Sequence, residues 1–398
     1  TTRVLSVRGL YEGKMGVTYT ENLSDDNIDK VIKDIIDNAS AIENDDVQEI
    51  YPGDKEYIEF SNFNDSVLSV SVADKIQKLK EIEEKSMAIS DKMDNVSPSY
   101  TEAYNKVIIK NTNGVDLEKE DVYYYFYVGS LAKENEDRAS GHYISVSRDF
   151  EEATSDEIAK ELAEETLPKL GASPIESGLY QTILHRDSAT SLLEVLINSF
   201  SADTVQKGSS KLKGQLEEKI FGDNITITDD PFRMDGWGST SFDDEGVATK
   251  AKDIVKDGVL KTFLHNLKTA KKDGIASTGN GFKASVKSGI SVSPTNLFVQ
   301  PGEKSLDQLT DNFSGVVIKE LAGTHAGTNP ISGDFSLQAS GFLYENGKVV
   351  QPINLVTISG NIFDLLNNVN EIGSDLKFVG SNHACPSLNV GEMQISGK

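Results

Sequence analysis

The sequence has one cysteine, Cys385, and one tryptophan, Trp237. A lone thiol excludes an internal disulfide and a zinc cluster built on cysteines, and it fits a reducing compartment. Histidine is scarce as well. His142, His185, His265, His325 and His383 are the whole supply, and no two of them stand at the helical spacing of a zinc-protease motif. No apolar run approaches the ~20 residues that a membrane helix needs, so no membrane partner is expected. Basic charge is thin: 39 Lys and Arg face 63 Asp and Glu, for a net charge of -24. Phosphate binding needs a concentrated basic surface, so nucleic acid is not an expected partner either. Low-complexity segments and short internal repeats are absent. There is no P-loop and no G-x-S-x-G nucleophile elbow, although composition alone leaves a Ser–His–Asp triad open.

What is present is a chain of 398 residues with 37% hydrophobic residues and a mean hydropathy of -0.35. Such a chain is long enough for two or three cores, and its composition is that of a soluble globular protein. The acidic balance and lone cysteine fit a cytoplasmic setting. The opening Thr1-Thr2-Arg3-Val4 already reads as a strand, without an initiator Met or a signal-peptide core, and further residues are expected upstream.

Three segments are expected. Segment 1–55 reads as a hairpin and a helix. Arg3–Leu10 and Gly16–Tyr19 flank Glu12-Gly13-Lys14, and Ser24-Asp25-Asp26 offers N-cap chemistry. Ile28, Val31, Ile32, Ile35, Ile36 and Ala39 then recur as one helical face. The acidic Ala41–Asp54 stretch reads as an exposed linker. Segment 56–171 is a central α/β domain. Helical character over Val67–Val96 (Ile76, Leu79, Ile82, Ile89) leads to a turn at Asn111–Gly114, then strands over Asp121–Val128 and Gly141–Val146. A helix capped by Ser155 comes next, with Ile158, Leu162 and Leu167 facing inward and Pro168 near its end.

Segment 172–398 is Gly-rich and mostly β. Leu192–Phe200 is its clearest helix, followed by Val205–Gly208. Ile225–Thr228 is a short strand. Lys256-Asp257-Gly258 and Glu345-Asn346-Gly347-Lys348 read as hairpin turns. The fold class is therefore α+β, a mixed N-terminal α/β part plus a large, mostly antiparallel β domain.

Few motifs carry chemistry by themselves. Asp229 and Asp230 could pair as acid and base, but a strand end with turn-forming residues is the plainer account. Trp237 reads as a packing anchor, and Lys268, Lys271 and Lys272 as a solvated face. His383-Ala384-Cys385 could offer two metal ligands, with a surface loop the plainer account. Gly279-Asn280-Gly281 and Gly323-Thr324-His325-Ala326-Gly327-Thr328-Asn329 read as turns between strands, or as backbone exposed to an extended peptide.

Several stretches of the C-terminal half resemble the TldD/PmbA family of peptidase subunits. They are Asp229-Asp230-Pro231, Phe242-Asp243-Asp244-Glu245-Gly246, Asp257-Gly258-Val259-Leu260, Asn329-Pro330-Ile331-Ser332-Gly333-Asp334-Phe335-Ser336, Glu345-Asn346-Gly347-Lys348 and Ile358-Ser359-Gly360-Asn361, in family-like order and spacing. The hairpin Val4–Tyr19 is similar to the family's first domain. In the catalytic TldD branch a helix carries H-E-x-x-x-H, and zinc sits on its two histidines and a ligand from the C-terminal domain. That spacing puts the two side chains about 140° apart on a regular helix, so the helix must be locally wound wide to aim both at one ion. The intervening glutamate would serve as general base to a zinc-bound water.

Anchored on Lys207-Gly208-Ser209-Ser210, the matching positions are Leu193-Glu194-Val195-Leu196-Ile197-Asn198. Leu193 and Asn198 replace the histidines and Glu194 remains, a set that cannot hold zinc in a three-ligand site. Cys385 falls near the family's C-terminal ligand region but is offset from it. The chain is therefore similar to the PmbA (TldE) branch. That likeness implies a non-catalytic subunit with no metal or cofactor of its own. Its partner would be a TldD-type catalytic chain carrying zinc, with a homodimer also open.

The family's work is proteolysis and peptide maturation on unfolded peptide. Strand edges would bind such a peptide through main-chain hydrogen bonds. Gly323, Thr324, His325, Gly327 and Asn329 are the expected surface. The alternatives are an independent metallopeptidase using His325, His383 or Cys385, and a non-enzymatic modulator of DNA gyrase, a label the family also carries.

Overall fold

The structure is a computed structural model and describes residues 2–43 and 48–398. Strands β1 (Leu5–Tyr11) and β2 (Lys14–Thr20) form a hairpin in full register from Leu5↔Thr20 to Tyr11↔Lys14. A 3-10 turn at Asp25–Asn27 opens α1 (Ile28–Ser40), with Ser24 at the cap position but making no side-chain cap bond. The apolar face of α1 is only partly covered, since Ile28 and Ile32 are exposed and only Ala39 is fully buried. Residues 44–47 of the acidic stretch lie outside the described residues. The chain beyond them is tied down rather than free. Glu49 pairs with Lys271 at 3.2 Å, the Asp54 carboxylate accepts from Ala248 N at 2.7 Å, and Tyr57 donates to Gly246 O at 2.8 Å.

The expected helix over Val67–Val96 is shorter. It splits into α2 (Ser66–Ser69) and α3 (Val72–Ala88). Leu79 and Ile82 face inward, while Ile76 and Ile89 are exposed. Met93 already begins β3 (Met93–Lys110), which pairs antiparallel with β4 (Asp116–Glu134), itself paired with β5 (Asp137–Ser147). Strand β3 escaped the sequence reading because its outer half is polar and solvated, with few apolar residues to set a period of two. Helix α4 (Ser155–Thr166) is capped by Thr154, one residue earlier than expected, whose hydroxyl accepts from Glu157 N. Ile82, Tyr124, Phe126, Ile158 and Leu162 form the core between these helices and the three-stranded sheet.

The remainder builds on β6 (Gly178–Leu184), α5 (Arg186–Leu196) and α6 (Ala202–Gln206). Next come β7 (Ile227–Asp229), β8 (Lys252–Lys256), β9 (Val259–Leu260), α7 (Leu267–Asp273), β10 (Gly281–Lys283), β11 (Ile290–Val292) and β12 (Leu297–Val299). After these stand α8 (Leu306–Thr310), β13 (Gly315–Ala322), α9 (Thr324–Gly327), β14 (Asp334–Glu345) and β15 (Lys348–Asn361). Last are α10 (Ile362–Asn367), β16 (Glu371–Ile372), β17 (His383–Ala384) and β18 (Leu388–Ser396).

A six-stranded sheet runs β15-β14-β13-β6-β18-β16, and β15 pairs again with β18, so five of its strands close into a ring. A second sheet runs β17-β12-β7-β8-β9. Among the strand pairs of the described residues only β12–β17 and β13–β6 are parallel, so the α+β class and the mostly antiparallel C-terminal sheet stand. Both expected hairpin turns are present. Asp257 and Gly258 have φ of 49° and 77°, and Asn346 and Gly347 repeat those values, the left-handed pair that a two-residue hairpin turn requires. The largest core of the chain lies inside this ring and under α5, where Leu192, Leu193, Leu196, Ile318, Val356 and Ile358 meet.

The segments are joined by charge. Arg8 of β1 reaches Glu245 at 3.2 Å, and Lys283 donates to Ser6 Oγ at 2.6 Å. Trp237 lies edge-on to Tyr123, with centroids 5.9 Å apart, and the Arg148 guanidinium sits 4.3 Å over its ring. The anchor role expected of the tryptophan thus has a partner in the central sheet.

Candidate functional site

Helix α5 carries the motif-matching positions. His185 is its N-cap, with Nδ1 accepting from Asp187 N at 3.3 Å. From there Ser188, Ala189, Leu192, Leu193 and Leu196 are buried, which is one helical face at spacings of three and four. The helix begins before the expected Leu192 and ends at Leu196. Ile197–Phe200 is a 3-10 turn, and α6 comes after it, ending at Gln206 rather than Gly208. Leu193 is therefore a core residue, 3% exposed, whereas Glu194 and Asn198 face solvent.

Strand β17 runs beside this helix. Thr190 Oγ1 accepts from Cys385 N at 2.9 Å and bonds Cys385 O at 3.4 Å, which fixes 383–385 against α5. Cys385 is buried among Leu192, Leu193 and Leu388, and burial pushes its thiol well above the usual range. About 10 Å³ remains free among these side chains, no more than a single water requires. His383 instead turns to the helix surface. Its Nε2 lies 3.5 Å from Glu194 Oε2, and its Nδ1 lies 2.9 Å from Ser381 Oγ. Burial lowers the His383 pKa below its ordinary value, against the pull of Glu194, so the neutral imidazole predominates at pH 7 and this contact is a close approach rather than an ion pair.

A zinc ion does not fit this donor set. One carboxylate and one imidazole converge, the leucine beside them is packed into the core, and the thiol lies within an apolar pocket. Among the described residues no group of three His, Cys, Asp or Glu is placed to hold a metal. A three-ligand zinc site needs one more donor than the surface offers. The pairing of Glu194 with His383 was not read from the sequence. The only signal for it was the short separation of His383 from Cys385, which lies in the region expected to face α5.

The Gly323–Asn329 segment is not an open strand edge. Thr324–Gly327 is one helical turn (α9), entered through Gly323 at φ +80°, and it packs against α5. Ala326 N and Gly327 N both donate to Gly323 O. Asn329 closes the next turn, its Oδ1 accepting from Ile331 N and Ser332 N. His325 and Asn329 are exposed. What this segment offers is a surface of side chains beside α5, with the amides of Ala326, Gly327 and Asn329 already hydrogen-bonded.

The other sequence candidates go elsewhere. Asp230 does make the expected turn, accepting from Phe232 N at 2.9 Å. Asp229 is instead a fully buried hub, accepting from Thr295 N, Thr295 Oγ1, Asn280 Nδ2 and Lys252 Nζ at 2.6–3.0 Å. Asn280 of the Gly279–Gly281 stretch is thus structural. Lys268 is half-buried rather than solvated, and Lys271 is engaged by Glu49.

Comparison with known proteins is consistent along the chain. Three family models match: PmbA/TldA metallopeptidase domain 1 over residues 1–39, the central domain over 65–170 and the C-terminal domain over 177–397. Metalloprotease PmbA of Escherichia coli O157:H7 is 31% identical over 270 residues, 67% of this chain, and the match spans 57% of that protein's length. Among solved structures, a Thermotoga maritima protein described as a candidate modulator of a DNA gyrase superposes with a TM-score of 0.91 at 35% identity, covering 99% of this chain and 89% of the other. TldE of Thermococcus kodakarensis has a TM-score of 0.90 over 99% and 90% of the two chains at 21% identity, which speaks to fold alone. No helix among the described residues is long and apolar enough to cross a membrane.

Proposed function

The chain belongs to the PmbA/TldA metallopeptidase family, and from that premise we propose that it is the PmbA (TldE)-like, non-catalytic subunit of a metallopeptidase whose TldD-type partner carries the zinc. The observation that carries the proposal is Leu193. At the position where zinc-binding relatives are expected to have a histidine, this chain has a leucine packed beside Leu192 and Cys385. Glu194 keeps the place of the expected general base, but its nearest polar neighbour is a neutral imidazole. Without a set of donors among the described residues to hold a metal and its water beside it, that carboxylate has nothing to activate. Hydrolysis is then the partner's work, and this chain contributes shape: a wall of the cavity that admits unfolded peptide in proteolysis and peptide maturation. The exposed Gly323–Asn329 turn and the solvent side of α5 form the proposed peptide-facing surface. A division at 1–55, 56–171 and 172–398 and a cytoplasmic setting belong to the same proposal.

Metal analysis of the purified chain tests it. The expected result is well under one tightly held transition metal per chain after dialysis. A stoichiometric metal that is lost in Glu194→Ala or His383→Ala would overturn it. It would also favour the second reading, an independent metallopeptidase built on the His383–Glu194 pair.

A further inference from the structure

Another cavity lies away from α5. It is a cleft of about 200 Å³ where β5 and the 3-10 turn after α4 meet the ring of β13, β14 and β15. Arg138, Lys169 and Lys319 line it together with Phe342, Pro352 and Asn354. Three cations at one cleft are unusual in a chain of net charge -24.

Two of the three are already committed. Lys169 pairs with Glu165 and with Glu320, both at 2.6 Å, and Lys319 pairs with the other Glu165 oxygen. Arg138 has no acidic partner among the described residues. The Asp137 carboxylate, at the edge of the cleft, is taken up by Gly171 N, so Arg138 is left as the cleft's unpaired cation.

The strands around the cleft are irregular in a matching way. The β13–β14 pairing shifts between Ile318 and Glu320, at Lys319, and the β14–β15 pairing shifts between Ala339 and Gly341. The second shift leaves Asn354 and Leu355 as the extra residues opposite, and Leu355 has a φ of +52°. Bulges re-aim side chains, and an exposed leucine in the left-handed region is backbone held against its preference. Both bulges present a residue to the cleft wall. Asn354 Oδ1 is buried without a donor, and rotation of that amide would present the oxygen to a ligand N–H.

The geometry points to a binding site for the carboxylate of an acylated amino acid or peptide end. The carboxylate would meet the Arg138 fork, an apolar side chain would lie on Phe342 and Pro352, and the last amide N–H would be donated to Asn354. This inference goes beyond the subunit role and needs neither a partner nor a metal, so it is tested on the chain alone.

Calorimetric titration with N-acetyl-Ala-Phe and with its C-terminal amide decides it. The free acid should bind saturably, at least tenfold tighter than the amide. Arg138→Ala should lose at least tenfold while Arg138→Lys loses less, both with an unchanged thermal midpoint because the residue is exposed. N-acetylphenylalanine binding as tightly as the dipeptide would uphold the site for small acylated acids, and weaker binding would uphold it for peptide ends. Equal affinity for acid and amide, inorganic phosphate binding as tightly as the dipeptide, indifference to Arg138→Ala, or no saturable binding would each overturn it.

Discussion

At the scale of single residues, burial separates the side chains that hold the fold from those that can be replaced. Leu193 fills core space, so Leu193→Ala should cost on the order of 2–5 kcal/mol, the range for buried leucines, measured by urea unfolding. Glu194, largely exposed beside a neutral imidazole, should be replaceable by Gln with a change of ~0.5 kcal/mol or less. Asp243 makes the opposite case. Burial, and then the nearby Glu245 carboxylate, push its pKa up to about 7, while backbone amides of Glu245, Val247 and Gly281 bond to it. The folded chain therefore binds this proton more tightly than the unfolded chain does. Its contribution to stability is full at low pH and is lost as pH rises from about 4 to about 7, at up to ~1.4 kcal/mol per pH unit. The difference in unfolding free energy between the chain and Asp243→Asn, measured from pH 4 to pH 8, should shift across that window. A difference that stays flat there would remove the buried carboxyl from the account.

At the scale of elements, legibility tracked local chemistry. The Asp257-Gly258 and Asn346-Gly347 turns were plain, because only a few residues accept the backbone that such turns require. The apolar face of α5 was plain too, although its first turn was not, since His185 caps it in place of the usual Ser, Thr, Asp or Asn. Strand β3 was hidden by its solvated polar face, and α3 was read too long through Ile89, which is exposed. The bulges in β13 and β15 leave no mark in sequence, because they answer to partner strands far away in the chain. The Leu355 bulge makes its own prediction. Leu355→Gly should stabilise the chain by about 1 kcal/mol in thermal unfolding, since glycine accepts that φ without the steric cost.

At the scale of the whole molecule, the sequence shows the parts but not how they meet. Arg8 and Glu245 are far apart in the chain, and nothing local announces their contact. Glu245 is buried, so Arg8→Ala leaves a carboxyl without its cation. The expected cost is on the order of 3 kcal/mol, with faster protease cleavage between the first hairpin and the rest of the chain. Of the site, the apolar face formed by Leu192, Leu193 and Leu196 could be read directly from the helical spacing. The His383–Glu194 pair and the Arg138 cleft could not, because each joins elements from distant parts of the chain.

The central claim is that this chain shapes a peptidase without performing the hydrolysis. It is tested most directly by assaying unfolded peptide with this chain alone, with a TldD-type chain from the same organism alone, and with the two mixed. Cleavage confined to the mixture is the predicted result, unchanged when Glu194→Gln replaces the parent chain. Full-rate cleavage by this chain alone would contradict it.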